Sequence, residues 1–190
     1  MIPSHIQRGF TLLELMIVVA VVAVITASVS GTWKALIERH TRYAVQSTLS
    51  QAFASARSSA VTVNEITTVC PLDENQNCSQ NWDLPITVFL DPMNARALTV
   101  GTEVIRVFDV PDNGFLTASN SGQSERRYFQ YNANGTARGT LGNLIWCPIS
   151  HNPSGAIQLR MNFGGRITWA RDSDEDGVKE NSQGQPLVCP

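Results

Sequence analysis

Three aspartates near the C-terminus have the types and spacing of metal ligands. Asp172, Asp174 and Asp176 precede a glycine in the pattern D-x-D-x-D-G, which opens many calcium-binding loops. Counted from Asp172, position 9 is Glu180, but position 12, where such loops place a bidentate carboxylate, is Gln183. Because that ligand is missing and no EF-hand helices flank the loop, we favour a solvated acidic loop. We predict no metal and no cofactor, with calcium at the three aspartates as the alternative.

Three arginines close to this loop could instead bind phosphate groups. Arg160, Arg166 and Arg171 lie in or beside a predicted C-terminal hairpin. Trp169 in the same hairpin could stack on a base, although an aromatic side chain there is more often part of the packing. The formal net charge of the whole chain is -2, so any contact with nucleic acid depends on this local patch.

The sequence lacks the usual arrangements of catalytic residues. It contains no Gly-x-Ser-x-Gly sequence and no glycine-rich phosphate loop followed by lysine. His40 falls in a predicted helix and His151 in a loop rich in Pro, Asn and Ser, and neither has a partner at zinc-finger spacing. We therefore predict a protein that is not an enzyme and has no zinc site.

The cysteines indicate an oxidising compartment. Cys70, Cys78, Cys147 and Cys189 all follow the apolar N-terminal segment, and an even number there fits two disulfides. Of the three possible pairings, Cys70–Cys78 and Cys147–Cys189 are favoured because each closes a polar, turn-rich stretch. Buried free thiols are the alternative.

The N-terminus carries an apolar run long enough to span a membrane. Residues 10–29 contain a single charged side chain, Glu14, and as a helix they would cross a hydrocarbon core of about 30 Å. Arg8 precedes the run, and no small-residue cleavage site follows it, so we predict a retained helix with a cytoplasmic leader. A carboxylate in lipid costs up to about 2.5–3.5 kcal/mol at mid-depth, so we predict a cationic partner for Glu14. A tolerated glutamate in a plain membrane anchor is the alternative.

The sequence RGFTLLE at residues 8–14 resembles the prepilin peptidase motif of type IV pilins and type II secretion pseudopilins. The resemblance implies cleavage between Gly9 and Phe10 by the prepilin peptidase and methylation of Phe10 as the new N-terminal residue. It also implies that Glu14 docks the subunit into a helical filament. The new amine at Phe10 of one subunit would then neutralise Glu14 of the next.

Two kinds of element must position these residues. From 31 to 64 the sequence predicts an amphipathic helix, because apolar residues recur every three or four positions. This apolar face comprises Val45, Leu49, Ala52, Phe53, Ala56, Ala60 and Val63. Short strands follow, predicted at 67–70, 86–90, 104–110, 127–131, 144–147, 156–163 and 166–170, the last two forming a hairpin.

We therefore predict an α+β fold in which a long N-terminal α-helix, transmembrane in its first half and amphipathic in its second, packs on an antiparallel β-sheet head. The predicted divisions are a leader peptide at 1–9, a transmembrane and filament-core helix at 10–30, an amphipathic helix at 31–64 and a periplasmic head at 65–190.

Parts of the head resemble the GspH/FimT group of minor pilins and pseudopilins. The similar stretches are ARSSA at 56–60 leading to Cys70, the tryptophan at 82, YNANG at 131–135 and a cysteine close to the C-terminus. Ser59 stands where that group has an acidic residue. The resemblance implies a pilin-like fold and a structural subunit that is incorporated at the filament tip and primes pilus or pseudopilus assembly. Its partners would be other minor pilins or pseudopilins and the major pilin.

The same resemblance implies a single-pass protein of the bacterial inner membrane with a periplasmic head, which later joins the filament. Type IV pili and type II secretion systems both use such subunits. The alternative function is that of a DNA-binding minor pilin acting in DNA uptake. Some family members bind DNA through a C-terminal Gly-Arg-x-Arg turn, and here Thr168 replaces the second arginine.

Overall fold

The described part of the chain begins with one long helix and continues in β-strands. It comprises residues 10–121, 124–139 and 141–189 of a computed structural model, without the side chains of residues 27–32, 35 and 121. The predicted leader with Gly9 and the last side chains of the predicted segment 10–30 lie outside this part. The chain divides into two compact units, one up to Ile37 and one from Glu38 onward.

The helix α1 spans Leu12–Val63. Thr11 caps its N-terminus, because the Thr11 hydroxyl accepts a hydrogen bond from the backbone N–H of Glu14 at 3.2 Å. This places Glu14 in the first turn, where an acidic side chain also complements the helix dipole. Among the residues that the structure describes, no helix has the length and apolarity needed to cross a membrane.

In the second unit, α1 buries the apolar face that the sequence predicts. Six of its seven predicted members are buried, and Val63 is the exception with 48% of its surface exposed. Val63 is the last helical residue, and Asn64 follows in the left-handed region with φ of 60°. The N–H of Glu65 then donates to the carbonyl of Ala60 at 3.2 Å, which closes the helix and turns the chain away. The prediction for Val63 was therefore wrong.

The strands form two four-stranded antiparallel sheets and a small hairpin. In the first sheet the order is β3-β2-β1-β7, with β1 at Thr67–Pro71, β2 at Ile86–Leu90, β3 at Val104–Phe108 and β7 at Phe129–Tyr131. In the second it is β10-β9-β8-β4, with β4 at Gly114–Ala118, β8 at Gly142–Pro148, β9 at Ile157–Met161 and β10 at Ile167–Trp169. The hairpin pairs β5 at Asn120–Ser121 with β6 at Ser124–Glu125.

One apolar core joins α1 to both sheets. Phe53 of α1 contacts Phe129 of β7 edge to face with ring centroids 5.1 Å apart, and Trp82 contacts the same Phe129 ring at 5.6 Å. The Trp82 indole N–H donates to the carbonyl of Arg126 at 2.7 Å, so its one polar group is satisfied inside the core. Trp146 of β8 is buried in the same cluster. The core lies within the second unit, and the predicted α+β fold class is confirmed.

Each predicted strand region contains a strand, but β4 and the β5–β6 hairpin were not predicted. The sequence Pro-Asp-Asn-Gly at 111–114 is typical of a turn and gives no sign of a strand that begins at Gly114. In the structure Gly114 begins β4, and the position requires glycine because a Cβ there would collide with the ring of Trp146 on the adjacent strand. The predicted hairpin does form, with Ile167 opposite Met161.

Candidate functional site

The start of α1 is the most distinctive surface of the first unit. Every large apolar side chain from Phe10 to Ile25 is exposed, with 51–84% of its surface free. Glu14 is the only charged residue from 10 to 26. The Thr26 hydroxyl donates to the carbonyls of Val22 and Ala23 at 2.9 and 3.0 Å, so this polar group is satisfied within the helix. A helix that is apolar on all sides fits a membrane or the interior of an assembly.

Two disulfides join segments of the head. Cys70 on β1 is bonded to Cys78, and Cys147 on β8 is bonded to Cys189, which is the pairing that the sequence favours. No described cysteine is free. The second bond ties the C-terminal segment to the second sheet, where Leu187 packs with Cys147 in a small apolar cluster.

The three candidate arginines line two depressions that share Ile167. Arg160 on β9 and Arg171 after β10 line one cleft, and this cleft also contains the carboxylates of Asp174 and Glu180. Arg166 lies in the turn before β10 and lines a different groove. The hairpin register pairs Thr168 with Arg160, and Ile167 lines both depressions, so the grouping of Arg160, Arg166 and Arg171 stays a prediction.

The acidic loop brings four carboxylates together. Ligand oxygens of Asp172, Asp174, Asp176 and Glu180 all lie within 4.8 Å of one another. The fourth carboxylate is that of Glu180 at position 9, whereas position 12 is Gln183. It is 8% exposed and accepts a hydrogen bond from the N–H of Ser173 at 2.7 Å.

The three aspartates of this loop are exposed and organise its backbone. Asp172 accepts from the N–H of Gly177 at 2.9 Å, and Asp176 accepts from the N–H of Val178 at 2.7 Å. Such bonds stabilise a tight acidic turn without an ion. The arrangement offers four of the six to eight oxygens that calcium takes, and by itself it assigns no metal.

The two histidines occupy separate elements. His40 is exposed on α1, and His151 lies in the turn after β8 with its ring 5.1 Å from that of Phe115. Neither position adds a catalytic group to the cleft of Arg160 or to the acidic loop.

These features define a class of protein: a helix with an exposed apolar start, followed by a disulfide-bonded antiparallel head. A profile of the prokaryotic N-terminal methylation motif matches residues 4–30. The profile described as type II transport protein GspH matches residues 46–165, which is more than half of the chain. The chain belongs to the GspH family, as the sequence resemblance predicted.

Two solved structures illustrate the similarity. The type IV minor pilin FimU of Pseudomonas aeruginosa strain PAO1 is 20% identical, with 78% of this chain and 97% of that chain covered and a TM-score of 0.48. The minor pseudopilin EpsH from the type 2 secretion system of Vibrio cholerae is 11% identical. The match covers 68% of this chain and 94% of that chain, with a TM-score of 0.46. A comparison with curated protein sequences finds no significant match.

Proposed function

We propose that this protein is a non-enzymatic minor subunit of a type IV pilus or a type II secretion pseudopilus. The observation that carries the proposal is the run of exposed apolar side chains from Phe10 to Ile25, interrupted by the single charge of Glu14. The same run lies inside the segment that matches the N-terminal methylation motif. A soluble protein would lose stability by exposing such a surface to water, whereas a membrane or filament subunit buries it.

Processing would take place at the start of this run. We infer that a prepilin peptidase cleaves between Gly9 and Phe10 and that Phe10 becomes the methylated N-terminus. Before assembly, residues 10–29 would hold the protein in the inner membrane, with the head in the periplasm. Both disulfides agree with that location, because disulfides persist in the bacterial periplasm and are rare in the cytosol.

Glu14 would act as the docking residue. Its carboxylate stands alone among exposed apolar side chains, so transfer into lipid or a filament interior is costly without a cation. Cleavage supplies such a cation, because it creates an amine at Phe10. Pairing that amine on one subunit with Glu14 on its neighbour would offset the cost and fix the axial position of the two helices.

In the assembled state, the partners would be other minor subunits and the major pilin. We propose incorporation at the filament tip and a role in priming assembly. Type IV pili and type II secretion systems share this N-terminal chemistry, and neighbouring genes distinguish them. A retraction ATPase gene indicates a pilus, whereas a secretion operon with a secretin indicates a pseudopilus.

Mass spectrometry of the protein co-expressed with a prepilin peptidase tests the processing step. We expect a mature chain that begins at N-methylated Phe10. An intact Met1, or a cut beyond residue 20, would exclude the pilin function. A Gly9→Leu variant should remain uncleaved and serves as the negative control.

Filament incorporation tests the docking step. We expect Glu14→Gln to be cleaved and inserted normally but to be lost from sheared filaments. The matched control is Glu38→Gln, which removes a carboxylate from the same helix outside the apolar run. Equal incorporation of both variants would refute the role of Glu14.

The DNA-uptake alternative has no observation in its favour. Two acidic residues, Asp174 and Glu180, line the same cleft as Arg160 and Arg171 and would repel a phosphate there. We expect no salt-sensitive gel shift of the protein with DNA. A shift that disappears in the Arg166→Ala and Arg171→Ala variants would restore this alternative.

A further inference from the structure

A groove of about 640 Å³ runs along the C-terminal half of α1, on a side that none of the functions above uses. Its apolar lining includes Phe53 and Val61 of α1 and Ile167 of β10. Val61 is exposed, although most large apolar side chains of this part of α1 are buried. The groove therefore presents an apolar surface that a partner could cover.

Two cations lie beside this apolar surface. Arg57 and Arg166 both line the groove, and none of its described lining residues is acidic. Arg57 is held in position, because its Nη2 donates to the carbonyl of Gly164 at 3.0 Å. A guanidinium has five N–H donors, so most of the Arg57 donors are left for a ligand. The occupant that complements this charge is an anion.

A third donor comes from Tyr131. This residue lines the groove with only 1% of its surface exposed. Its hydroxyl is not among the buried side-chain atoms that lack a hydrogen-bond partner. Burial raises the pKa of Tyr131, while the nearby charge of Arg57 lowers it, and the net shift is upward. The phenol therefore stays protonated and can donate. Because Tyr131 lines the groove, its hydroxyl can donate to a ligand that enters there.

We propose that this groove binds a peptide segment of a partner subunit in which a carboxylate stands next to an apolar side chain. Arg57, Arg166 and the Tyr131 hydroxyl would bind the carboxylate, and the apolar side chain would pack near Phe53 and Ile167. Planar guanidinium groups suit the two oxygens of a carboxylate. A phosphate would match the charge but would leave the apolar surface uncovered. The inference rests on the assembly function above, since it takes the partner to be another subunit.

Binding of short peptides to the full-length protein in detergent micelles tests the proposal. The probe is fluorescein-labelled GSLELSG, and the matched controls are GSLQLSG, without the carboxylate, and GSSESSG, without the apolar side chains. We expect GSLELSG to bind about tenfold more tightly than either control by fluorescence anisotropy, as expected for a charge-assisted hydrogen-bonded contact. Equal binding of the three peptides, or no binding of any of them, would overturn the proposal.

Groove variants locate the site. Arg57→Gln and Arg166→Gln should each weaken the binding of GSLELSG about tenfold, and Tyr131→Phe should weaken it about threefold. Arg171→Gln changes a residue outside the groove and should leave the binding unchanged. The Arg166 side chain is exposed, so that variant is not expected to alter folding, which a thermal melt checks. If Arg166→Gln binds like the wild type, the groove is not the site. If a single-stranded oligonucleotide displaces the labelled peptide at a lower concentration than unlabelled GSLELSG does, the groove binds nucleic acid and the proposal is wrong.

The assay requires neither the peptidase nor a filament. A negative result here with normal cleavage at Phe10 would reject the groove and leave the pilin function standing. Normal peptide binding with an uncleaved N-terminus would instead reject the pilin function and leave the groove as a peptide-binding site.

Discussion

Loss of the Cys147–Cys189 disulfide should destabilise the head more than loss of Cys70–Cys78. The two bonds close loops with sequence separations of 42 and 8 residues. In the chain-entropy description, a longer closed loop restricts the unfolded chain more strongly. The expected costs are about 4 kcal/mol for the long loop and about 2.5 kcal/mol for the short one. The predicted difference is therefore about 1.5 kcal/mol.

Packing at the cysteine sites should not reverse this order. Cys147 and Cys70 are both fully buried on central strands, so replacing each with alanine removes similar contacts. The C-terminal segment has few other anchors. Leu187 is buried beside Cys147, and the N–H of Leu187 donates to the carbonyl of Lys179 at 2.8 Å. Loss of the bond should consequently also release this segment.

Urea unfolding of a head that begins at Glu38 measures the prediction, since the apolar core lies entirely within that unit. The two double variants, Cys147→Ala/Cys189→Ala and Cys70→Ala/Cys78→Ala, are compared with the oxidised wild type. Limited proteolysis should cut near the C-terminus only in the first. Equal free energies of unfolding, or a larger cost for the short loop, would refute the entropic reasoning.

Three further predictions concern single side chains. Gly165→Ala should destabilise the head by about 2–4 kcal/mol, because φ is +71° and the new Cβ would collide with the carbonyl of Gly135. Gly184→Ala is the control, because Gly184 has a similar φ of +75° but open space around it, and it should cost about 1–2 kcal/mol in the same denaturation assay. Equal free-energy costs for the two variants would contradict the collision at Gly165. Asp174→Asn should raise the melting temperature slightly in EDTA and low salt, because it relieves repulsion in the acidic loop. A melting temperature of the wild type that rises in millimolar calcium, with no rise in Asp174→Asn, would instead indicate a calcium site. Burial raises the pKa of Tyr131, so unfolding releases its proton above pH of about 10 and stability falls as pH rises through that range. In thermal melts at increasing pH, the melting temperature of Tyr131→Phe should decrease less above pH of about 10 than that of the wild type. An equal decrease in both proteins would refute the role of Tyr131.

The sequence was sufficient to predict elements with a strong local signal. The buried face of α1 follows from the recurrence of apolar residues every three or four positions, and it was correct from Val45 to Ala60. The final hairpin follows from the paired glycines between two strand-like runs. The disulfide pairing followed from the turn-rich stretches that each bond closes.

Features that depend on tertiary contacts could not be predicted in this way. Strand β4 depends on Gly114 lying against Trp146, a contact that joins residues far apart in the sequence. The surroundings of the two arginines depend on the elements packed beside the hairpin, because Arg166 shares its groove with α1, whereas Arg160 shares its cleft with the acidic loop. Glu180 occupies position 9 of the loop spacing, but its burial and its bond from the N–H of Ser173 depend on the folded backbone. The groove that Tyr131 lines with Arg57 and Arg166 also forms only when the helix and the final hairpin pack together.

The long disulfide also has a mechanical consequence. A subunit in a filament under tension would be pulled through its N-terminal helix, and the head would be the part able to extend. The covalent bond between Cys147 and Cys189 encloses a separation of 42 residues, which cannot lengthen while the bond is intact. At about 3.3–3.6 Å for each extended residue, this removes roughly 140 Å of contour length from the stretchable chain. Strands β9 and β10 and the tail, which lie within this loop, would thus resist a load as one short, closed element.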